Sequence, residues 1–158
     1  PRHDQGRGLL LRGDGAGALT PLSAQQSGIA VYGDQRGAAY ADFNRDGRLD
    51  LAVSQNGDQT RLFENRGARV GLRVRLRGPS GNPDGVGAQL RIVYGATMGP
   101  VREVQAGSGS WSPTGAVQLF GLRATPTAVW VRWPGGAVHR MPVPAGAREI
   151  VVPFDSAR

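Results

Sequence analysis

No stretch of about a dozen residues in this chain keeps apolar side chains at spacings of three and four without a break at glycine or proline, as an amphipathic helix requires. With Gly 25 and Pro 11 in 158 residues, turn-formers recur too often for long helices, yet the 39% hydrophobic content suffices for a core. Short strand-length runs between turn-formers recur instead, at 38–43, 49–54, 61–64, 72–76, 89–94, 101–105, 117–122, 128–133, 138–143 and 148–152. Strands this short and evenly spaced predict an all-β chain assembled from hairpins. Trp133-Pro134-Gly135-Gly136 places proline and glycine at the central positions of a type II turn, so a hairpin is expected there.

Several chemistries drop out on composition alone. The longest aliphatic run, Leu9-Leu10-Leu11, falls far short of the roughly 20 apolar residues of a membrane helix. Cys 0 removes disulfides, zinc–thiolate sites, iron–sulfur clusters and thiol nucleophiles. All 19 basic residues are arginine, which excludes a Schiff-base lysine and a P-loop lysine. His139 has no second histidine close in sequence with which to form a metal or catalytic set.

Charge divides the chain. Residues 1–67 carry eight Arg and eight Asp or Glu, whereas 68–158 carry eleven Arg and four acidic residues, so the whole net charge of +7 falls in the second part. Two modules are expected, 1–67 and 68–158. Such a basic module can attract nucleic acid, acidic polysaccharide or an anionic surface through its field. Arg73, Arg75 and Arg77 alternate with Leu72, Val74 and Leu76, however, as on a strand with one solvated face. No basic run interleaved with aromatics accompanies them, so a nucleic-acid partner is not expected.

One segment carries metal chemistry. Asp42-Phe43-Asn44-Arg45-Asp46-Gly47-Arg48-Leu49-Asp50 places oxygen side chains at loop positions 1, 3, 5 and 9 with glycine at position 6. A short loop wraps a hard cation in this way, with Asp42, Asn44 and Asp46 offering oxygens, the Arg48 carbonyl pointing inward and Asp50 closing the ring. Calcium is the expected ion. Val53 stands where an EF-hand needs its bidentate glutamate, and the flanks read as strands, so the loop is not an EF-hand. Arg45 and Arg48 offset part of the negative charge, which predicts affinity of about 10⁻⁵ to 10⁻³ M. The competing account of the same residues is an Asx-rich turn whose carboxylates cap backbone amides.

A faint internal repeat relates Leu10-Leu-Arg-Gly-Asp-Gly15 to Leu62-Phe-Glu-Asn-Arg-Gly67. About three or more such units are needed to bury their faces, so the first module is expected to end a longer repeat array. Arg36–Val53, with its D-x-N-x-D-G-x-x-D core, resembles an FG-GAP/VCBS-type propeller blade of the kind seen in integrin α-chains. Gly71–Val152 resembles the ASPIC and UnbV domain, found after such repeats in cartilage acidic protein and many bacterial secreted proteins. The residues that carry this second likeness are Asn82-Pro-Asp-Gly-Val-Gly-Ala88, Val101–Gly109, Gln118-Leu-Phe-Gly-Leu122 and Val129-Trp-Val-Arg-Trp-Pro-Gly-Gly136. Together the resemblances imply the C-terminal blade portion of a β-propeller, then a small antiparallel β-sandwich or barrel-like domain. They also imply an extracellular or periplasmic location and no established reaction. The blade likeness implies the metal role for Asp42, Asn44, Asp46, Arg48 and Asp50, and the second domain brings no catalytic residues.

The remaining candidates are thin. Arg12-Gly13-Asp14 spells an adhesion tripeptide, but Asp-Gly is ordinary hairpin chemistry. Ser108 lacks the G-x-S-x-G spacing of a nucleophile, and Asp84, Glu103, Glu149 and Asp155 do not single out a catalytic pair. Trp133 is in phase with Val129 and Val131 and is expected in the core, while Trp130 is out of phase and Trp111 sits on a loop, making those two the candidate sugar-stacking surfaces. The expectation is a non-enzymatic, calcium-stabilised extracellular interaction module with a protein or glycan partner. A carbohydrate-binding module for acidic polysaccharide, or an accessory domain of a larger secreted enzyme, is the alternative.

Overall fold

The computed structural model describes residues 8–14, 16–107 and 115–155. Trp111 and Ser108 lie outside them. The chain is all-β, and a strand lies within or overlaps every predicted run, though at 101–105 it spans only two residues. A hairpin of β1 (Leu10–Gly13) and β2 (Leu19–Leu22) comes first, then one helical turn, α1 (Ala24–Ser27). A meander follows, β3 (Asp34–Ala41), β4 (Asp50–Asn56) and β5 (Arg61–Phe63), antiparallel in that order.

The rest forms two facing sheets. One is ordered β10-β6-β13, from β6 (Leu72–Arg77), β10 (Gln118–Phe120) and β13 (Glu149–Pro153). The other is ordered β12-β11-β7-β8, with β7 (Gln89–Tyr94), β8 (Thr97–Met98), β11 (Ala128–Arg132) and β12 (Val138–Pro142), and β9 (Arg102–Glu103) also pairs with β7. Alternate residues from both sheets meet in one core, with Leu72, Val74, Leu90, Val129, Val131 and Val152 fully buried. This is a β-sandwich and no closed barrel forms. Its pairings are antiparallel except one: β13 runs parallel to β6.

Local chemistry explains the joints. Trp133 and Ala137 close the predicted hairpin, with Trp133 N donating to Ala137 O at 2.8 Å, Gly136 N to Trp133 O at 2.9 Å, and Gly135 at φ 88. At the start of α1, Ser23 and Gln26 form a reciprocal capping box, and Gly28 ends the turn at φ 72. In Asn82-Pro-Asp-Gly-Val86, the Asn82 side chain bonds both the N–H and the C=O of Val86 at 2.8 Å. Gly85 there has φ +67, and a Cβ on it would lie 2.7 Å from Leu76 Cδ1 and 3.1 Å from the Trp133 ring. Gly85→Ala is therefore expected to cost about 1–3 kcal/mol, read as a lowered urea midpoint. An unchanged midpoint would mean that this turn yields freely.

The first module has little core of its own. Val31 and Val53 are its buried apolar residues, whereas Leu9, Leu19, Tyr32, Phe43 and Leu62 each expose more than half their surface. The solvated face expected for β6 is corrected at one position. Arg75 and Arg77 are exposed, but the Arg73 side chain is only 17% exposed because the 42–50 loop packs over it.

Candidate functional site

The loop expected to hold a cation joins β3 to β4, whose register runs through Ala41 opposite Asp50. Reversing the chain here takes two left-handed residues, Arg45 at φ 60 and Gly47 at φ 84. A Cβ on Gly47 would also lie 2.6 Å from Val70 Cγ1, so both backbone conformation and space call for glycine.

Side-chain oxygens order the turn from within. Asn44 Oδ1 accepts from Asp46 N at 3.1 Å, Asp46 Oδ1 from Arg48 N at 2.8 Å, and Asp42 Oδ2 from Gly47 N at 3.1 Å. Asp50, 2% exposed, accepts from Phe43 N at 3.1 Å and from Asn65 N at 2.8 Å, one bond to each carboxylate oxygen. These are the bonds of an Asx-rich turn. Each carboxylate oxygen has two lone pairs, so such bonds do not exhaust it. Partial burial pushes the Asp46 carboxyl pKa up, but the Arg48 amide, the Asn44 side chain and the Arg48 guanidinium outweigh it, and the group sits below the ordinary 3.8.

The loop is clasped by the segment leading into β6. Gly71 N donates to Gly47 O at 2.8 Å, Arg48 Nε to Ala68 O at 2.7 Å, and Asn65 Nδ2 to Leu49 O at 3.1 Å. Arg73 Nη1 then reaches Asp42 Oδ2 at 2.7 Å, with the Asp42 side chain only 4% exposed. Arg73 Nε lies 3.4 Å from Glu149 Oε2, near enough to attract but not aligned for a hydrogen bond. Asp42 Oδ1 is buried without a hydrogen-bond partner. Sequence reasoning missed Arg73, because alternation along β6 marks it only as pointing away from the sandwich core.

The structure thus brings Asp42, Asn44, Asp46, Arg48 and Asp50 into one turn. Among the described residues, no three acidic or histidine side chains gather as a metal-binding group, so a cation here would need Asn44 and main-chain oxygens as well. The other candidates lie apart. Asp14 Oδ1 of the Arg12-Gly13-Asp14 tripeptide accepts from Ala16 N and Ala18 N, at 2.7 and 3.1 Å, as a turn residue. His139 Nδ1 accepts from Trp133 Nε1 at 3.3 Å, and its ring stacks near Phe154. Trp133 is 2% exposed in the core, while Trp130 stands on the opposite face of β11, half-buried. A cleft of 730 Å³ beside β4 and β5, lined by Leu10, Ile29, Leu51, Leu62 and Phe63, has Glu64 as its one carboxylate. Asp155 lines a separate cleft beside β12, and Glu103 another beside β9.

No helix among the described residues is long and apolar enough to cross a membrane. No curated protein matches the chain. The model of the ASPIC and UnbV family matches residues 78–157, from the end of β6 through the facing strands of the sandwich and past β13. That stretch is half of the chain and supplies most of its core, and the chain belongs to the ASPIC and UnbV family.

Proposed function

We propose that this chain is a non-enzymatic interaction module of the extracellular or periplasmic space, in which a calcium ion bound at the β3–β4 turn fixes the hairpin against the sandwich. The observation that carries this reading is Asp42 Oδ1, a buried carboxylate oxygen with no donor, in a turn that also holds Asn44 and Asp46. A buried anionic oxygen left without a partner is costly, and a cation would satisfy it. Asp42, Asn44 and Asp46, with the Arg48 carbonyl and the remaining lone pairs of Asp50, would hold the ion. Calcium supplies charge and rigidity at such a site. Arg73 already faces Asp42, and the repulsion between its guanidinium and a bound cation keeps affinity at the weak end.

The FG-GAP/VCBS-type resemblance of Arg36–Val53 supports the same reading. So do the bare apolar side chains of β1, β2 and β5, since a repeat unit leaves such surface where a neighbour or partner stacks. Calcium at about 100 times its dissociation constant is expected to add roughly 2.7 kcal/mol, about 5–10 °C in melting temperature for a chain of this size. Thermal melts in millimolar calcium and in excess EDTA measure this, with Asp46→Ala expected to abolish most of the difference. Identical melting curves for the parent chain in both buffers would remove calcium from the reading.

A further inference from the structure

The five-stranded sheet turns Val129, Val131, Leu90 and Ile92 to the core, so the alternate residues stand on its other face. Register places Trp130 of β11 directly opposite Arg140 of β12 on one side and Arg91 of β7 on the other. The outer face therefore carries Arg140, Trp130 and Arg91 in one row across three strands. Two strand spacings separate the arginine positions by about 10 Å, with the indole between them. The next row sets Arg132 between Val138 and Gln89.

Main-chain carbonyls hold Arg91 and Arg140 in place, and Asp155 shares a cleft with Arg140. Arg91 Nη1 donates to Gly99 O at 3.2 Å. Arg140 reaches past β11 to donate from Nη2 to Gly95 O at 3.4 Å in the β7–β8 turn. Each guanidinium has five N–H donors, so most remain for a ligand. Among the described residues, neither these two nor Arg132 has a carboxylate within ion-pairing distance. Glu149, by contrast, lies within 4 Å of both Arg73 and Arg75 on the other sheet. Glu103 stands at the far end of the Arg132 row, beyond Gln89. Trp130 and Arg91 are half-buried, Arg132 and Arg140 exposed.

From this arrangement we propose that the outer face of the β12-β11-β7 sheet binds an acidic polysaccharide, with Trp130 as the stacking platform and Arg91, Arg132 and Arg140 as receptors for its anionic groups. A pyranose ring lays its C–H face on an indole, and guanidinium forks take carboxylate or sulfate bidentately. Both guanidiniums are anchored on the β7–β8 side of Trp130, which suits a chain with an anionic group beside each stacked sugar. Single-stranded nucleic acid calls for a series of aromatic platforms, and this row offers one. The site lies on the sandwich and does not depend on the calcium reading.

The test measures binding of the whole chain to heparin and hyaluronan, in EDTA and low salt, beside neutral dextran, double-stranded DNA and anionic phospholipid vesicles. One or both acidic glycans are expected to bind and dextran not to. Trp130→Ala and the double variant Arg91→Gln/Arg140→Gln are each expected to weaken binding about tenfold, the scale of one charge-assisted bond. Arg148→Gln, outside this sheet, is expected to change it less than about twofold. Melting curves establish that each variant is folded. The proposal is overturned if neither glycan binds, if DNA or vesicles bind more tightly than both glycans, or if the folded double variant binds like the parent. Because EDTA is present throughout, loss of the calcium reading leaves this outcome unaffected.

Discussion

Replacing Arg73 by methionine is expected to lower the free energy of unfolding by about 3–5 kcal/mol in metal-free buffer, the cost of leaving a buried charge without its partner. Asp42 is the charge at stake. Its side chain is 4% exposed, its Oδ2 lies 2.7 Å from Arg73 Nη1 with the Gly47 amide as its one further donor, and its Oδ1 has no donor. Losing the guanidinium strands the carboxylate beneath the 42–50 loop and loosens the only ion pair that ties this loop to β6 among the described residues. The double variant Asp42→Asn/Arg73→Met is expected to recover a substantial part of the loss, since an amide costs less to bury than a lone carboxylate. Urea unfolding of the parent, both single variants and the double variant gives the coupling energy directly. A loss below about 1 kcal/mol for Arg73→Met would class the pair with ordinary surface ion pairs and deny it the clasp.

Truncating Trp133 to alanine should be as damaging, about 3–5 kcal/mol, because a fully enclosed indole leaves a cavity that the sandwich cannot close. Trp133 is 2% exposed, its ring meets Phe154 edge-on at 5.2 Å, and a Gly85 Cβ would touch it. Its Nε1 donates to His139 Nδ1 at 3.3 Å, which accounts for a tryptophan in place of a smaller aromatic. Trp133→Phe separates the two roles. It keeps much of the packing and forfeits the hydrogen bond, for an expected loss of about 1–2 kcal/mol. Equal losses in the two variants would show that the bond, not the volume, carries the site.

These residues also mark how far the sequence could be read. Trp130 and Trp133 were assigned to opposite faces from their phase with Val129 and Val131, and the structure places them so, because a strand's side chains must alternate whatever surrounds it. The hairpin at Trp133–Gly136 was legible for a similar reason, as proline fixes φ and glycine admits the positive φ that the turn needs. The one-turn helix α1 was missed although Ser23 and Gln26 spell a capping box, since four residues leave no periodicity to detect. The hairpin β1–β2 was legible only through the Asp-Gly chemistry of its turn, and its strands stayed outside the predicted runs because they lack a buried face to impose alternation.

The candidate site divides along the same line. Asp42, Asn44, Asp46 and Gly47 announce a tight polar turn through spacing alone, and the turn is where they put it. Nothing in that spacing says that Asp50 reaches the Asn65 amide, or that Arg73, a residue of the second module, completes the surroundings of Asp42.

By itself the sequence determined the strands, the turns between them and the face each side chain takes, because these follow from backbone stereochemistry within a few residues. Only the tertiary structure decided that β13 joins β6 in parallel, that the 42–50 loop covers Arg73, and that Trp130 falls between Arg91 and Arg140. Each of these depends on which distant strands share a sheet edge and in what register, and that choice is made by the packing of the whole core rather than by any local preference.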